Sequence, residues 1–203
     1  MITPWAVAAL GGYLLGSVPV SDLVARRHGV DLRAVGDHNP GYWNAKEQLG
    51  ARRALPVLLG DTAKGAVAGA LGVAVAALVD APWGVRWVAV GGAMVGHGWP
   101  LFAGFRGGKS LLAFVGGMLV VAPVPALIGV AVCTAVSLAH SFSTGIKVSV
   151  FSFPVVELAF DPPVRVAATG LLLCIIALRF VLAATGSARR RRRPPASGEP
   201  FPV

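Results

Sequence analysis

Residues 54–79 read ALPVLLGDTAKGAVAGALGVAVAALV, an apolar run in which Asp61 and Lys64 are the charged side chains. A helix of about 20 residues crosses a hydrocarbon core about 30 Å thick, so this run is long enough to span a membrane. The whole chain agrees, since 55% of its 203 residues are hydrophobic, 13% are charged, and the mean hydropathy is +0.71. Soluble chains carry about 25% charged residues. The sequence therefore predicts an all-α integral membrane protein, a polytopic helical bundle.

Apolar runs separated by polar or Gly/Pro-rich segments predict seven spans, several of them tilted or broken. Their approximate limits are 2–24, 54–79, 87–104, 111–122, 124–142, 148–160 and 164–184. The fourth and sixth are short, and runs of that length are also typical of re-entrant or interfacial segments. We interpret residues 1–187 as one transmembrane domain and residues 188–203 as a disordered, basic, Pro/Arg-rich cytoplasmic tail.

The positions of the basic residues predict the orientation of the chain. The net charge is +9, with 18 lysines and arginines. If the N-terminus is outside, fourteen of them lie in the segments 25–53, 105–110 and 143–147 and in the tail, and two lie in the outer turns. Cytoplasmic loops are enriched in Lys and Arg, so we expect the N-terminus outside and the C-terminus in the cytoplasm. This bias accounts for the basic charge without a nucleic-acid partner.

The cysteines and acidic residues indicate no bound metal or other cofactor. Cys133 and Cys174 lie inside apolar runs, and neither has the spacing to a second Cys or His that is typical of a metal site. The sequence therefore predicts no disulfide framework, no metal ligands and no cofactor.

Polar side chains collect in the first predicted cytoplasmic loop, where residues 35–46 read VGDHNPGYWNAK. Turn chemistry accounts for the Asn-Pro-Gly at 39–41. It does not account for Asp37, His38 and Asn44 around it, which can donate hydrogen bonds to and accept them from a polyhydroxylated or phosphorylated ligand. A ligand-binding loop and a solvated turn are the two interpretations.

A second polar segment, residues 105–110, reads FRGGKS and precedes an apolar run. Adjacent glycines let backbone amides form an anion-binding nest, a helix N-terminus adds partial positive charge, and Lys109 adds a full one. The spacing differs from that of a P-loop, because Ala103 stands six residues before Lys109. A phosphate cradle and a flexible positive-inside loop are both consistent with this segment.

Spacing within the apolar runs predicts pairs of residues on one helix face. Asp61 and Lys64 are three residues apart, so an ion pair is expected that is either structural or part of a site. Ser149 and Ser152 share a face beside the third cytoplasmic turn. Small residues four apart, Gly65 with Gly69 and Gly92 with Gly96, predict close approach of helix backbones. Glu157 and Trp87 are interpreted as residues near the outer interface.

The order of these segments resembles the bacterial acyl-phosphate:glycerol-3-phosphate acyltransferase family, small seven-span membrane enzymes with a cytoplasm-facing active site. The resemblance runs from Gly11 to about Ser152. It rests on residues 16–19 (GSVP), 29–36 (GVDLRAVG), 39–44 (NPGYWN), 61–65 (DTAKG), 96–100 (GHGWP), 105–109 (FRGGK) and 148–152 (VSVFS).

This resemblance implies transfer of a fatty acyl group from acyl phosphate to glycerol 3-phosphate, giving lysophosphatidic acid at the cytoplasmic face of the bacterial plasma membrane. The expected partners are these two substrates and membrane lipid, whereas the oligomeric state is left open. The catalytic candidates are Asp37, His38, Asn39 and Asn44. The substrate-binding candidates are Gly41, Lys46, Asp61, Lys64, His97, Arg106, Gly107, Gly108, Lys109, Ser110, Ser149, Ser152 and Arg179.

Several positions depart from the family pattern. Asp37-His38 replaces a Ser-Gly pair, Trp43 replaces a Thr, and Glu47 stands where a basic residue is usual. Ser110 replaces a glycine, and the His and Asn that end the family's last span are missing from residues 176–179.

Three interpretations follow from these departures. In the first, the carboxylate of Asp37 orients the imidazole of His38 as a substitute acid/base pair. In the second, the chain keeps the fold but has altered or lost the chemistry, and binds phospholipid precursors. In the third, it is a small transporter whose path is lined by Asp61, Lys64 and Arg179.

Overall fold

The computed structural model describes the backbone of residues 3–191 and the side chains of residues 3–185. The described residues form helices without any β-strand, which confirms the all-α prediction. The helices are α1 (Pro4–Gly16), α2 (Val20–Arg26), α3 (Tyr42–Leu49), α4 (Ala51–Leu78), α5 (Gly84–Gly98), α6 (Leu111–Val121), α7 (Pro123–Ala139), α8 (Phe142–Glu157) and α9 (Pro163–Arg191), with a short 3-10 turn at Leu101–Ala103.

Local sequence signals account for several helix starts. Proline is the first residue of α1, α7 and α9, where its missing N–H and fixed φ cost nothing. The hydroxyl of Thr3 accepts a hydrogen bond from the backbone N–H of Ala6 (3.3 Å), and Ser141 caps α8 in the same way through Thr144 (3.2 Å). These signals determine the residues at which α1, α7, α8 and α9 begin.

Glycine contacts define how the helices run relative to one another. Gly12 and Gly16 of α1 lie against the carbonyl groups of Ala89 and Ala93 of α5, so α1 and α5 run parallel. By the same kind of contact α4 runs parallel to α6 and α5 runs parallel to α9, whereas α7 and α8 are antiparallel. The ammonium of Lys64 in α4 donates a hydrogen bond to the carbonyl of Val18, just after α1, and α4 runs antiparallel to α1. One end of the bundle therefore collects the starts of α4, α6 and α8 and the ends of α1, α5, α7 and α9.

The core lies between α5, α6, α8 and α9. Val90 and Met94 of α5 pack with Phe114 and Met118 of α6. The ring of Phe114 meets that of Phe153 in α8 edge to face, with 5.3 Å between centroids. Large apolar side chains also cover the outside of the bundle, which is typical of a surface that contacts lipid.

Three segments are long and apolar enough to cross a bilayer by length and composition, namely Pro4–Arg26, Ala51–Leu78 and Pro163–Thr185. Leu111–Val121 and Pro123–Ala139 are shorter apolar helices. The predicted positions of the seven apolar runs thus agree in outline with α1/α2, α4, α5, α6, α7, α8 and α9.

The first predicted span, 2–24, is not one continuous helix. It breaks at residues 17–19 between α1 and α2. Pro19 has no N–H to donate, and it disfavours a helical conformation at Val18. The hydroxyl of Ser17 donates to the carbonyl of Tyr13 (2.8 Å) and closes the last turn of α1.

Two predicted loops are partly helical. The segment 25–53 contains α3 and the start of α4, and the turn expected at 143–147 lies inside α8. The turn is at His140 and Ser141 instead, because the Ser141 cap starts α8 six residues before the predicted span 148–160. Of the predicted tail, the backbone of 188–191 continues α9, and residues 192–203 lie outside the described residues.

Glu157 and Trp87 are buried between helices at the end of the bundle where α8 ends and α5 and α9 start, and their place near the outer interface stays a prediction. The indole N–H of Trp87 donates to the hydroxyl of Thr169 (3.0 Å), which donates to Oε1 of Glu157 (2.8 Å). Glu157 and Thr169 are fully buried. A polar chain of this kind links α5, α8 and α9, because each buried polar atom needs a partner.

Candidate functional site

A cleft of about 260 Å³ lies at the end of the bundle where α4, α6 and α8 start. The first residues of three helices line it, namely Tyr42 of α3, Leu111 of α6 and Phe142 of α8. Helix N-termini carry partial positive charge and orphan N–H groups. Within the described residues, α3 and α6 have no side-chain cap at these ends. The cleft is therefore suited to an anion.

Asn44 holds the first polar loop in its shape through hydrogen bonds from its side chain. Its buried amide donates to the carbonyls of Leu32 (2.8 Å), Val35 (3.0 Å) and Asn39 (3.2 Å). A Cβ at Gly36 would lie 2.0 Å from Oδ1 of Asn44, so the loop closes this tightly around glycine alone. Asn44, predicted as catalytic, thus shapes the loop that presents Asn39 and Gly41 to the cleft.

Arg33 and Asp22 tie the two polar loops, residues 27–41 and 99–110, together. The guanidinium of Arg33 forms a bidentate pair with the carboxylate of Asp22 (2.5 and 2.7 Å), and it also donates to the carbonyl of Arg106. Sequence reasoning did not include Asp22 and Arg33 among the site residues. The signal available was the acidic Asp22 inside an otherwise apolar run.

The two glycines of the segment 105–110 have a different role from the predicted nest. The N–H groups of Gly107 and Gly108 donate to the carbonyls of Gly98 (3.2 Å) and His97 (3.1 Å), so they are already used. The guanidinium of Arg179 donates to the carbonyls of Gly107 (2.6 Å) and Gly108 (2.8 Å). A Cβ on either glycine would lie within 2.4 Å of His97. Arg179 therefore fixes the loop from α9.

Lys109 extends from this loop into the cleft. Its ammonium lies 3.0 Å from Oδ2 of Asp37 and 5.0 Å from the centroid of the Phe180 ring. Both charged groups are partly exposed, so a ligand can reach them. Ser110 is fully buried, and its hydroxyl donates to the carbonyl of Met94 (2.6 Å), so that group holds the start of α6 in place.

Asp37 and His38 do not form the predicted acid/base pair. The second carboxylate oxygen of Asp37 accepts the backbone N–H of Asn39 (3.1 Å), while Nδ1 of His38 lies 3.1 Å from the carbonyl of Arg33. Among the described residues no hydrogen bond or ion pair joins Asp37 to His38, and His38 is absent from the cleft lining. The two side chains instead have separate backbone partners, and His38 itself lies in the left-handed region with a φ of 57°.

Asp61, Lys64 and His97 form a buried polar cluster at the base of the cleft. The ammonium of Lys64 lies 2.9 Å from Oδ1 of Asp61, with side-chain exposures of 8% and 1%. Nδ1 of His97 is 3.7 Å from the same oxygen. The predicted one-face pair is therefore present. Lys64 also donates to the carbonyl of Val18 (3.2 Å), and Asp61 and His97 line the cleft.

Eight predicted binding residues lie outside the cleft lining: Lys64, Gly107, Gly108 and Arg179, whose contacts are given above, and Lys46, Arg106, Ser149 and Ser152. The ammonium of Lys46 lies 4.9 Å from the centroid of the Trp43 ring, and Arg106 is exposed. The hydroxyl of Ser149 donates to the carbonyl of Gly129 in α7 (2.8 Å), and that of Ser152 to the carbonyl of Ser149 (3.3 Å). The two serines share one helix face as predicted, but their hydroxyls serve helix packing.

An apolar groove of about 680 Å³ adjoins the cleft between α4, α6, α7 and α8. The cleft and the groove share five lining residues: Tyr42, Leu111, Leu112, Phe142 and Ile146. We call these five residues the throat. A molecule with an anionic head and an apolar chain can place its head in the cleft and its chain in the groove. No group of three or more His, Cys, Asp or Glu within residues 3–191 is arranged to hold a metal ion.

This fold and this site define a class: polytopic helical membrane proteins in which a cleft lined by helix N-termini adjoins an apolar groove. A sequence model of glycerol-3-phosphate acyltransferases matches residues 6–189. The chain belongs to the glycerol-3-phosphate acyltransferase family.

Known relatives agree with this assignment. The chain is 36% identical over 168 residues to the glycerol-3-phosphate acyltransferase of Desulforudis audaxviator, covering 82% of each protein. It is 36% identical over 154 residues to glycerol-3-phosphate acyltransferase 5 of Dehalococcoides mccartyi, covering 73% of this chain and 62% of that protein. The chain spans 54 to 62% of the length of three such relatives.

The fold also has a solved counterpart. It is similar to the crystal structure of PlsY, an integral membrane glycerol 3-phosphate acyltransferase, in its glycerol 3-phosphate form. The TM-score is 0.79 at 25% identity, and the match covers 96% of this chain and 97% of that chain. The family resemblance is confirmed, and the chain is a multi-pass protein of a bacterial membrane.

Proposed function

We propose that this protein transfers a fatty acyl group from acyl phosphate to glycerol 3-phosphate, giving lysophosphatidic acid and inorganic phosphate. One observation carries the proposal: three helix N-termini and Lys109 converge on a cleft that shares the throat with an apolar groove. Both substrates carry phosphate, and the donor and product carry an acyl chain. An anion site beside an apolar groove suits all three molecules.

Acyl phosphate is already activated, so the protein has to align the two reactants and stabilise the charge that develops. The 1-hydroxyl oxygen of the acceptor forms a bond to the acyl carbon, and the bond from that carbon to the phosphate oxygen breaks. Inorganic phosphate leaves with the bonding electrons. We assign the hydroxyl proton to the carboxylate of Asp37, which already faces the cleft, and the binding of phosphate to Lys109.

The buried cluster supports this chemistry from the base of the cleft. Asp61, Lys64 and His97 are held in place by the fold, so the Asp61–Lys64 ion pair and the His97 ring do not have to reorganise during the reaction. Arg179 acts through the carbonyls of Gly107 and Gly108, which determine where Lys109 emerges. We therefore assign Arg179 a positioning role.

We further propose that the chain spans the membrane seven times, through α1/α2, α4, α5, α6, α7, α8 and α9, with the cleft in the cytoplasm. The distribution of Lys and Arg supports this orientation, since the cleft end carries the basic loops. The N-terminus is then outside. The short α6 starts at the cleft and packs against α4, α5 and α7.

The test is an assay of the purified protein with palmitoyl phosphate and glycerol 3-phosphate, measuring phosphate release and lysophosphatidic acid together. Lys109→Ala should lower kcat/KM by about 10²-fold or more, because it removes the charge that binds phosphate. Lys147→Ala is the matched control, since Lys147 is exposed on α8 outside the cleft. Equal turnover by Lys109→Ala and the wild-type protein would contradict the phosphate site.

A second candidate function is binding of phospholipid precursors without turnover. The missing His and Asn at residues 176–179 favour it, because the chain departs from the family pattern there while it keeps Lys109 and the cleft. Titration of glycerol 3-phosphate into the protein distinguishes the two functions. Saturable binding in a preparation that forms no lysophosphatidic acid would support this candidate over the enzyme.

A further inference from the structure

Trp43 and Phe142 stack on each other at the edge of the cleft. Their ring centroids are 4.6 Å apart and their planes differ by 6°. Trp43 is in the first turn of α3, and Phe142 is the first residue of α8. The stack therefore joins the first cytoplasmic loop to the helix that separates the cleft from the groove.

The position of the stack relates it to ligand binding. Trp43 lines the polar cleft, whereas Phe142 belongs to the throat and lines both the cleft and the apolar groove. Trp43 is 38% exposed. An indole ring with this exposure contributes little to the packing of the core. A large ring kept at the edge of a cleft is available to contact a ligand.

Neighbouring contacts hold this stack rigidly. The ammonium of Lys46 lies 4.9 Å from the centroid of the Trp43 ring, one helical turn further along α3. On the other side, Ser141 caps α8 and fixes its first residues, including Phe142. Aromatic side chains have only two χ angles, so holding a stacked pair in place costs little conformational entropy. The pair therefore keeps its position when a ligand binds.

We propose that the Trp43–Phe142 stack determines acyl-group specificity by forming a flat wall where the cleft meets the throat. The inference rests on the proposed function for the identity of the substrate. With its phosphate at Lys109, a donor places the first carbons of its chain in the throat beside the rings. An unbranched chain lies flat against the wall, whereas a methyl branch next to the head collides with it.

The test compares hexadecyl phosphate with 2-methylhexadecyl phosphate, two ligands that have no acyl group to transfer. Calorimetric titration of the detergent-purified protein should show the unbranched ligand binding about tenfold more tightly, since one methyl group is discriminated by about tenfold or more. Trp43→Ala and Phe142→Ala should bring this ratio close to one. Trp43→Phe should keep it, because a phenyl ring can still stack.

Phe160→Ala is the matched control, because Phe160 is an exposed phenylalanine beyond the far end of α8. Its binding ratio should equal that of the wild-type protein. An unchanged ratio in folded Trp43→Ala and Phe142→Ala would overturn the proposal.

The same ligands separate this proposal from the proposed function. If the wild-type protein discriminates the two alkyl phosphates but forms no lysophosphatidic acid, the acyltransferase proposal fails and the stack proposal stands. If it turns over palmitoyl phosphate while binding both alkyl phosphates equally, the stack proposal fails and the enzyme proposal stands.

Discussion

Asp37 is the residue whose role is most sharply testable, because it pairs with Lys109 in the cleft. Asp37→Asn removes the proton acceptor, and we expect kcat to fall by about 10²-fold. The KM for acyl phosphate should stay level or fall, since Lys109 loses its competing carboxylate. Steady-state kinetics with both substrates varied would measure this, with the exposed Glu47→Gln as control. If kcat were unchanged and KM lower, Asp37 would be only a counter-ion of Lys109 and not the proton acceptor.

Asn44 has a structural role that a stability measurement can isolate. Asn44→Ala leaves three loop carbonyls without their shared donor, at a fully buried position. We expect a loss of about 2 kcal/mol in the free energy of unfolding. Thermal unfolding in detergent would show it as a lower Tm. Gln48→Ala, at an exposed position one turn along α3, should leave the Tm nearly unchanged; equal effects of the two substitutions would contradict the role of Asn44.

Site residues were predictable where their partners are close in sequence. The pair of Asp61 with Lys64 follows from helical periodicity alone. The contact of Asp37 with Lys109 joins residues 72 positions apart, so it depends on the packing of whole helices. For the same reason the bonds from Arg179 to the carbonyls of Gly107 and Gly108 were not predictable, since that loop lies about 70 residues away in sequence.

At the level of helices, small residues decide which faces meet. Gly65 and Gly69 lie against Ala113 and Gly117 of α6, so the four-residue spacing correctly predicted a close approach. The same holds for Gly92 and Gly96 of α5, which meet α1. Helix α3 was not predicted, because its eight residues are polar on average and follow a Gly/Pro-rich turn.

Gly16→Ala tests this packing. An added Cβ would lie 2.1 Å from the carbonyl oxygen of Ala93, and backbone atoms cannot move aside without separating α1 from α5. We expect a loss of more than about 2 kcal/mol in stability, measured as thermal unfolding and yield of folded protein. Gly170→Ala in α9 is the control, because no described atom lies within 4 Å of its added Cβ and alanine favours a helix by about 1 kcal/mol. If Gly16→Ala were as stable as Gly170→Ala, close backbone packing would not hold α1.

For the molecule as a whole, the alternation of helix direction explains why one end carries the chemistry. The starts of α4, α6 and α8 and the ends of α1, α5, α7 and α9 meet there. Polar loops at that end come from residues far apart in sequence, yet they share one cleft. Charge counting predicted this end as the cytoplasmic one, while the length of the short helices left the number of crossings open.

The topology gives a prediction for the intact membrane. In a background with Cys133→Ala and Cys174→Ala, Gln48→Cys lies at the cleft end and Val79→Cys at the opposite end, both at exposed positions. If the cleft end is in the cytoplasm, as the basic loops predict, a membrane-impermeant maleimide should label Val79→Cys in intact cells and Gln48→Cys after permeabilisation. Labelling in the reverse order would overturn the orientation. Labelling of both cysteines in intact cells would show that the bilayer does not separate the two ends of the bundle. That result would also contradict the seven proposed crossings and the proposed cytoplasmic cleft.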